Sequence, residues 1–303
     1  MIENYDSIFV IGPTASGKTA LAVRIAAALN GEIISADSRQ VYRRMDIGTG
    51  KDLHEFIIDN KQIPHHLIDI CEPSEHYNIA RFFDDALAAI RTIQSSDKLP
   101  IICGGSGLYI ETLLKGNEFA TIPQCHELRT SLSKFSKGKL LALFNRIDTQ
   151  LAARLDNSSI KKMIRSIEIA DYISSHGYPE PRSTGLNPLI LGTYINRDLR
   201  RSKIAKRLRQ RLNEGMIEEV QSLLNEGILP EDLYYYGLEY LWVTKYCLGE
   251  VSYHEMVDKL EIAIQQFAKR QMTWFRRMEK QGYRIHWVDP SIQMHDLLSM
   301  VAK

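Results

Sequence analysis

Residues Gly12-Pro13-Thr14-Ala15-Ser16-Gly17-Lys18-Thr19 constrain the fold more than any other stretch of this chain. The apolar run Ile8-Phe9-Val10-Ile11 precedes them, and the helical-looking stretch Ala20 to Leu29 follows. A strand, a glycine-bracketed loop, Lys-Thr and a helix, in that order, are the context of a P-loop. Gly12 and Gly17 let the backbone curl so that several N–H groups face one cavity. The helix N-terminus adds its partial positive charge, so the cavity holds a phosphate or diphosphate. Thr14, Ala15 and Ser16 complete the cradle. Lys18 supplies a point charge to the phosphate oxygens, and the Thr19 hydroxyl can hold Mg²⁺. The motif specifies diphosphate handling; it does not specify ATP.

The flanking sequence extends the loop into an α/β domain. Glu32-Ile33-Ile34-Ser35 reads as a second strand ending at Asp37-Ser38. Asn78 to Ser95 reads as an amphipathic helix. Leu99-Pro100-Ile101-Ile102-Cys103 is a third strand, closed by Gly104-Gly105. This rhythm predicts a P-loop NTPase-like parallel sheet flanked by helices. After about Lys115 the character changes, and His126 to Ser175 is helical and polar-rich. Leu189 to Tyr194 then reads as a strand returning to the sheet. Residues 116–185 therefore read as a helical insertion domain within a catalytic core made of 1–115 and 186–303. From Arg197 to Gln281 the pattern is mainly helical, broken near Gly227 to Pro230, with Tyr283 to Val288 as a candidate last strand.

The net charge of +1 excludes a whole-molecule pull toward nucleic acid or membrane, so any such attraction must be local. Cys71, Cys103, Cys125 and Cys247 are far apart, with no CxxC pair. That argues against a zinc site of the usual spacing and fits a reducing, cytoplasmic setting. Met1 to Asp6 lacks a signal-peptide pattern, and no apolar run approaches a membrane span.

Several residues could carry chemistry. Asp37 falls at the C-terminal end of a strand, the edge where parallel sheets bind ligands. It could hold Mg²⁺ or accept a proton from a nucleophile; the alternative is a helix N-cap. Gly104-Gly105-Ser106-Gly107 falls at the same edge, as a ligand-approaching turn or merely a tight connection. The third strand lacks the Asp that a P-loop NTPase uses near Mg²⁺, and no Asn-Lys-x-Asp sequence occurs, which argues against a motor ATPase or a GTPase. Residues 195–211 form a basic block containing Arg197, Arg200, Arg201, Lys203, Arg207 and Arg211. One face could reach a diphosphate while another meets a polyanion. Phe267 to Arg277 is basic and aromatic, suited to stacking on unpaired bases or to core packing. His65-His66 lacks metal-pair spacing and reads as structural.

Together, several segments resemble the tRNA dimethylallyltransferase (tRNA isopentenyltransferase) family, bacterial type. The matching segments are Gly12 to Thr19, Asp37 to Lys51, Pro64 to Ile70, Gly104 to Ile110 and Ala268 to Arg276. The resemblance implies transfer of a dimethylallyl group from its diphosphate to the exocyclic amine of the adenosine 3′ of the anticodon, in tRNAs reading codons that start with U. It implies that Lys18, Arg207, Lys203 and a Thr19-bound Mg²⁺ handle the diphosphate, and that Asp37 takes the amine proton. It places Ser38, Gln40, Lys51, Gly104, Ser106 and Gly107 near the adenine. It places Lys162, Arg165, Arg270, Trp274 and Arg276 on the tRNA, and the helical insertion on the anticodon stem-loop. The expected form is a monomer. The chain departs from the family pattern at four places: Gly50 stands for Ala, Lys203 for Arg, Glu239 for a basic residue, and Gln265 for Arg. Other readings of the same chain are an adenylate isopentenyltransferase acting on free nucleotides and a P-loop small-molecule kinase.

Overall fold

The structure is a computed structural model that describes residues 5–116, 118–119, 121–180 and 184–301. Residues 1–4, part of the stretch read above as lacking a signal peptide, lie outside the described residues. Residues Met1–Leu114 with Thr184–Lys303 form one compact unit, and Lys115–Ser183 a second.

The first unit opens with β1 (Ser7–Ile11), α1 (Lys18–Leu29) and β2 (Gly31–Ser35). A short hairpin, β3 (Ile57–Ile58) and β4 (Lys61–Gln62), and the strand β5 (His65–His66) come next. Then follow α2 (Ile79–Ser95), β6 (Leu99–Gly104) and α3 (Gly107–Lys115). The second unit carries α4 (His126–Ser133), α5 (Lys137–Phe144), α6 (Thr149–Ala152) and α7 (Ile160–His176). The chain returns through β7 (Pro188–Thr193), α8 (Arg197–Asn213), α9 (Met216–Asn225) and α10 (Pro230–Tyr235). It finishes with α11 (Leu238–Cys247), α12 (Tyr253–Lys280), β8 (His286–Val288) and α13 (Met294–Val301).

Six strands form one sheet in the order β5-β2-β6-β1-β7-β8, and every pair is parallel. Alternation along β1 explains its unbroken apolar run. Ile8 and Val10 enter the core shared with α1, whereas Phe9 and Ile11 enter the core shared with α2 and the C-terminal helices. A strand covered on both faces has no polar side to show. The parallel arrangement brings the ends of β1, β2, β6 and β7 to a single edge, and the P-loop, Asp37, Ser106 and Thr193 follow those ends.

Three details differ from the sequence expectation. His65-His66 is the edge strand, paired with Ile33 and Ile34, and His66 Nε2 lies 2.7 Å from Glu32 Oε2. Two residues are too short for strand periodicity to reveal. The last strand is only His286–Val288. The long helical region also breaks at Gly215, at Gly237 and before Ser252, giving five helices. The last of these, α12, begins with a Ser252 cap on the Glu255 N–H and buries a stripe through Met256, Leu260, Ile264, Ala268 and Phe275.

The second unit has a small core of Leu132, Leu140 and Met163. Its polar hub is Glu168, 2% exposed. Glu168 accepts from Arg129 at 2.9 Å, from Arg165 at 2.6 Å and from the Cys125 N–H at 2.6 Å. Arg165 also donates to the carbonyls of Phe119, Ile122 and Pro123. The Arg165 guanidinium thus ties a loop to α7. Lys162 is exposed and pairs with Asp156 at 2.6 Å. Burial pushes the Glu168 carboxyl up, but the bonds from Arg129, Arg165 and Cys125 outweigh it and hold it below its ordinary value. A lowered folded pKa contributes stability that is complete above the unfolded value, about 4.3, and is lost as pH falls through the folded value. Acid should therefore loosen this unit, read by circular dichroism or amide exchange in α7. Glu168→Gln should cost about 3 kcal/mol at neutral pH and blunt that acid response.

Candidate active site

At the sheet edge lies a cavity of about 390 Å³. Lys18, Thr19, Asp37, Ser106, Arg207 and Glu239 all line it. Thr14, Ser38, Gln40, Gly104 and Arg270 line it as well. Lys18 and Thr19 come from the first turn of α1. Burial pushes the Lys18 ammonium below its usual value, opposed by the charges of Cys103 and Asp37.

Asp37 belongs to both readings weighed above. Its Oδ1 accepts the Arg39 N–H at 2.9 Å, capping a turn rather than a helix. Its Oδ2 makes no hydrogen bond among the described residues and is left to the cavity. The Ser38 N–H donates to Ser106 Oγ at 3.2 Å, so the loops after β2 and β6 are pinned together. Gln40 uses both amide ends internally, accepting from Ser35 Oγ and donating to the Gly50 carbonyl.

The P-loop is braced from two sides. Ser16 is buried, with its hydroxyl 2.8 Å from the Pro13 carbonyl and 2.6 Å from Thr193 Oγ1. Its side chain therefore holds the loop's shape rather than meeting a ligand. The Thr14 N–H donates to Gln271 Oε1 at 2.8 Å, and Gln271 Nε2 donates to the Gly105 carbonyl at 3.0 Å. Gln271 thus joins the P-loop to the second glycine turn. Sequence reasoning missed it as a site residue, although a signal existed: it is the one polar residue on the buried stripe of α12.

Three residues expected at the adenine or tRNA, Lys51, Gly107 and Trp274, do not line this cavity. Lys51 is 1% exposed and does not line the cavity. Its ammonium donates to the Tyr42 carbonyl at 2.7 Å, to Asp46 at 2.5 Å and to Asp69, which uses all its donors. It fastens the loop from Tyr42 to Asp69. Trp274 also stands outside the cavity lining. Its ring packs on Gly107, where an added Cβ would lie 2.4 Å from Cδ1, and Arg277 covers the ring at 4.0 Å. Gly107 and Trp274 are therefore a close-packed joint between α3 and α12. At the cavity mouth the aromatic surface comes from Phe267 and Tyr235, with Arg39 stacked 4.7 Å above the Tyr235 ring.

An outer opening of about 290 Å³ joins Ala15, Gly17, Lys18 and Thr19 to Lys203, Arg207 and Asp52. Arg207 pairs with Asp52 here. Burial raises the Asp52 carboxyl, but Arg207 and Arg211 outweigh it and hold it low. A separate groove of about 620 Å³ runs between α8 and α12. Arg197, Arg200, Arg201, Lys269 and Arg276 line it, and no carboxylate does among the described residues.

Residues 40–278 match the family described as IPP transferase, most of the chain. The chain belongs to the IPP transferase family. Among relatives of this family, a Bacteroides fragilis protein named tRNA dimethylallyltransferase 2 is 51% identical over 99% of this chain and 98% of its own length. A Phocaeicola vulgatus protein of the same name is 49% identical over 99% of this chain and 97% of its own. The crystal structure of the full-length tRNA isopentenylpyrophosphate transferase from Bacillus halodurans superposes with a TM-score of 0.69 at 32% identity. It covers 98% of this chain and 94% of that one. The α/β fold with a parallel sheet is thus the fold of the family. Gly50 and Glu239 meet beside the same side chain, Arg211.

Proposed function

We propose that this chain is a tRNA dimethylallyltransferase. It transfers a dimethylallyl group from dimethylallyl diphosphate to the exocyclic amine of the adenosine 3′ of the anticodon, in tRNAs that read codons starting with U. One observation carries this reading: a diphosphate cradle and an unoccupied carboxylate oxygen of Asp37 share one cavity with an aromatic mouth. The reported relatives bear tRNA-transferase names, which sets aside the kinase and free-nucleotide readings.

The donor diphosphate lies on the P-loop N–H groups, with Lys18 and Arg207 against its oxygens and Lys203 at the outer opening. The target adenosine leaves the anticodon-loop stack, at a cost of about a few kcal/mol, and enters from the Phe267 and Arg270 side. Its amine nitrogen forms a bond to the allylic carbon as the carbon–oxygen bond to diphosphate breaks. Asp37 takes the amine proton, and pyrophosphate leaves with the bonding electron pair. Ser38, Gln40 and Ser106 fix the wall against which the base rests.

Among the described residues no group of three or more His, Cys, Asp or Glu could hold a metal. A lone Thr19 hydroxyl beside a diphosphate fits Mg²⁺, which binds through few protein groups plus substrate phosphates. Bound there, Mg²⁺ neutralises charge growing on the departing pyrophosphate. The proposed form is a monomer. No helix among the described residues is long and apolar enough to cross a membrane; the proposed setting is the cytoplasm.

The test is a transfer assay with labelled dimethylallyl diphosphate, Mg²⁺ and an anticodon stem-loop carrying three consecutive adenines, with AMP in parallel. Label on the stem-loop alone supports the reading; label on AMP alone overturns it. The groove between α8 and α12 is the proposed seat of tRNA backbone phosphates. Arg200→Ala and Arg276→Ala should each weaken stem-loop binding regardless of sequence. Each should also flatten the slope of log K against log salt by about 1, measured by filter binding.

A further inference from the structure

Arg211 projects from α8 and is 8% exposed, yet it lines the cavity together with Lys18, Thr19 and Arg207. It lines the outer opening as well. Its guanidinium is poorly served. Nη2 lies 3.6 Å from Asp52 Oδ2 and Nη1 lies 4.0 Å from Glu239 Oε1, both beyond hydrogen-bond reach. Nε has no partner among the described residues. Asp52 is already engaged by Arg207. A buried cation with nearly all its donors unused is strongly unfavourable unless something completes it.

The backbone beside it is shaped to admit that cation. A Cβ at Gly50 would lie 1.6 Å from Arg211 Nη2 and 2.5 Å from Cζ. Gly50 also has φ +66°, a conformation that favours glycine. The space a side chain would fill at position 50 is filled by the guanidinium instead. Open donors in a fork geometry, next to the P-loop lysine, match an oxygen-rich dianion and match a planar neutral group poorly.

We propose that Arg211 is a second guanidinium of the diphosphate site. It grips the diphosphate oxygens alongside Arg207, while Asp52 holds the two cations near each other. This rests on the reading above that the cavity takes an allylic diphosphate. It adds a donor-binding residue that comes into place through the glycine at position 50.

The experiment is calorimetric titration with inorganic pyrophosphate and Mg²⁺, using the full chain, with the melting temperature recorded for every variant. Arg211→Met should weaken pyrophosphate binding by about 10–100-fold. Arg211→Lys, which keeps the charge but loses the fork, should fall between it and the wild type. Gly50→Ala leaves the chemistry of Arg211 intact but blocks its place, so it should weaken pyrophosphate binding too. It also carries the test if Arg211→Met does not fold. Wild-type affinity for pyrophosphate in a folded Arg211→Met or Gly50→Ala protein overturns the proposal and leaves the donor reading standing. Failure of the wild type itself to bind pyrophosphate overturns the donor reading, and this assignment with it.

Discussion

Asp37→Ala should lower prenyl transfer by roughly 10²–10⁴-fold, the scale of a lost general base, while pyrophosphate still binds. The geometry allows a sharper version. Asp37 lines the cavity, and its Oδ1 holds the Arg39 N–H at 2.9 Å. Asp37→Asn keeps an acceptor for Arg39 and loses the ability to take a proton. If the residue acts as the base, Asn is as inactive as Ala in single-turnover transfer. If its work is only to shape the turn, Asn restores most of the rate, and the proposed role fails. Pyrophosphate titration of both variants shows whether the donor site has survived.

Lys18→Ala should remove the nearest positive charge from the departing diphosphate and slow transfer by roughly 10²–10³-fold, the usual loss when one positioned charge-stabilising donor is deleted. Donor affinity should weaken as well. Stability should move the other way or not at all. Lys18 opens α1, where alanine is the better helix former, and burial disfavours its ammonium. A melting temperature at or above the wild-type value, together with lost donor binding, marks a residue kept for function. Unchanged donor affinity in Lys18→Ala would remove the P-loop from the mechanism.

The sheet was legible because its inner strands are long apolar runs that end in turn residues: Ile8 to Ile11, Glu32 to Ser35, Leu99 to Cys103 and Leu189 to Thr193. The edges were not. His65-His66 pairs over two residues only, and the hairpin Ile57–Ile58 with Lys61–Gln62 is as short. The P-loop and Asp37 could be placed because each directly follows a strand. Lys51 could not be judged from sequence, because its partners Asp46 and Asp69 become neighbours only through a loop without periodicity. The structural bonds of Arg165 were hidden for a similar reason: Glu168 lies three residues on, but the carbonyls that complete its bonding come from 42 and more residues earlier. Trp274 was balanced between stacking on a base and packing in a core, and its contact with Gly107 could not be read from the sequence. Gln271 needed the opposite inference, since a polar residue inside an apolar stripe demands partners the sequence does not name.

The place of β1 in the sheet has a consequence for how this chain is made. Its neighbours are β6 on one side and β7 on the other, with Ser7 opposite Pro188. At a synthesis rate of about 5–20 residues per second, the intervening ~180 residues take roughly 10–40 s to emerge. For that interval the strand that carries the phosphate loop has an open hydrogen-bonding edge, and Phe9 and Ile11 lack the C-terminal helices that complete their core. The 115–183 segment is continuous in sequence, so it can finish folding while the sheet around it is still incomplete. The nascent first half is therefore the stage at which this protein most needs a chaperone, and a chain stalled before residue 188 should be far more prone to aggregation than one released just after residue 193.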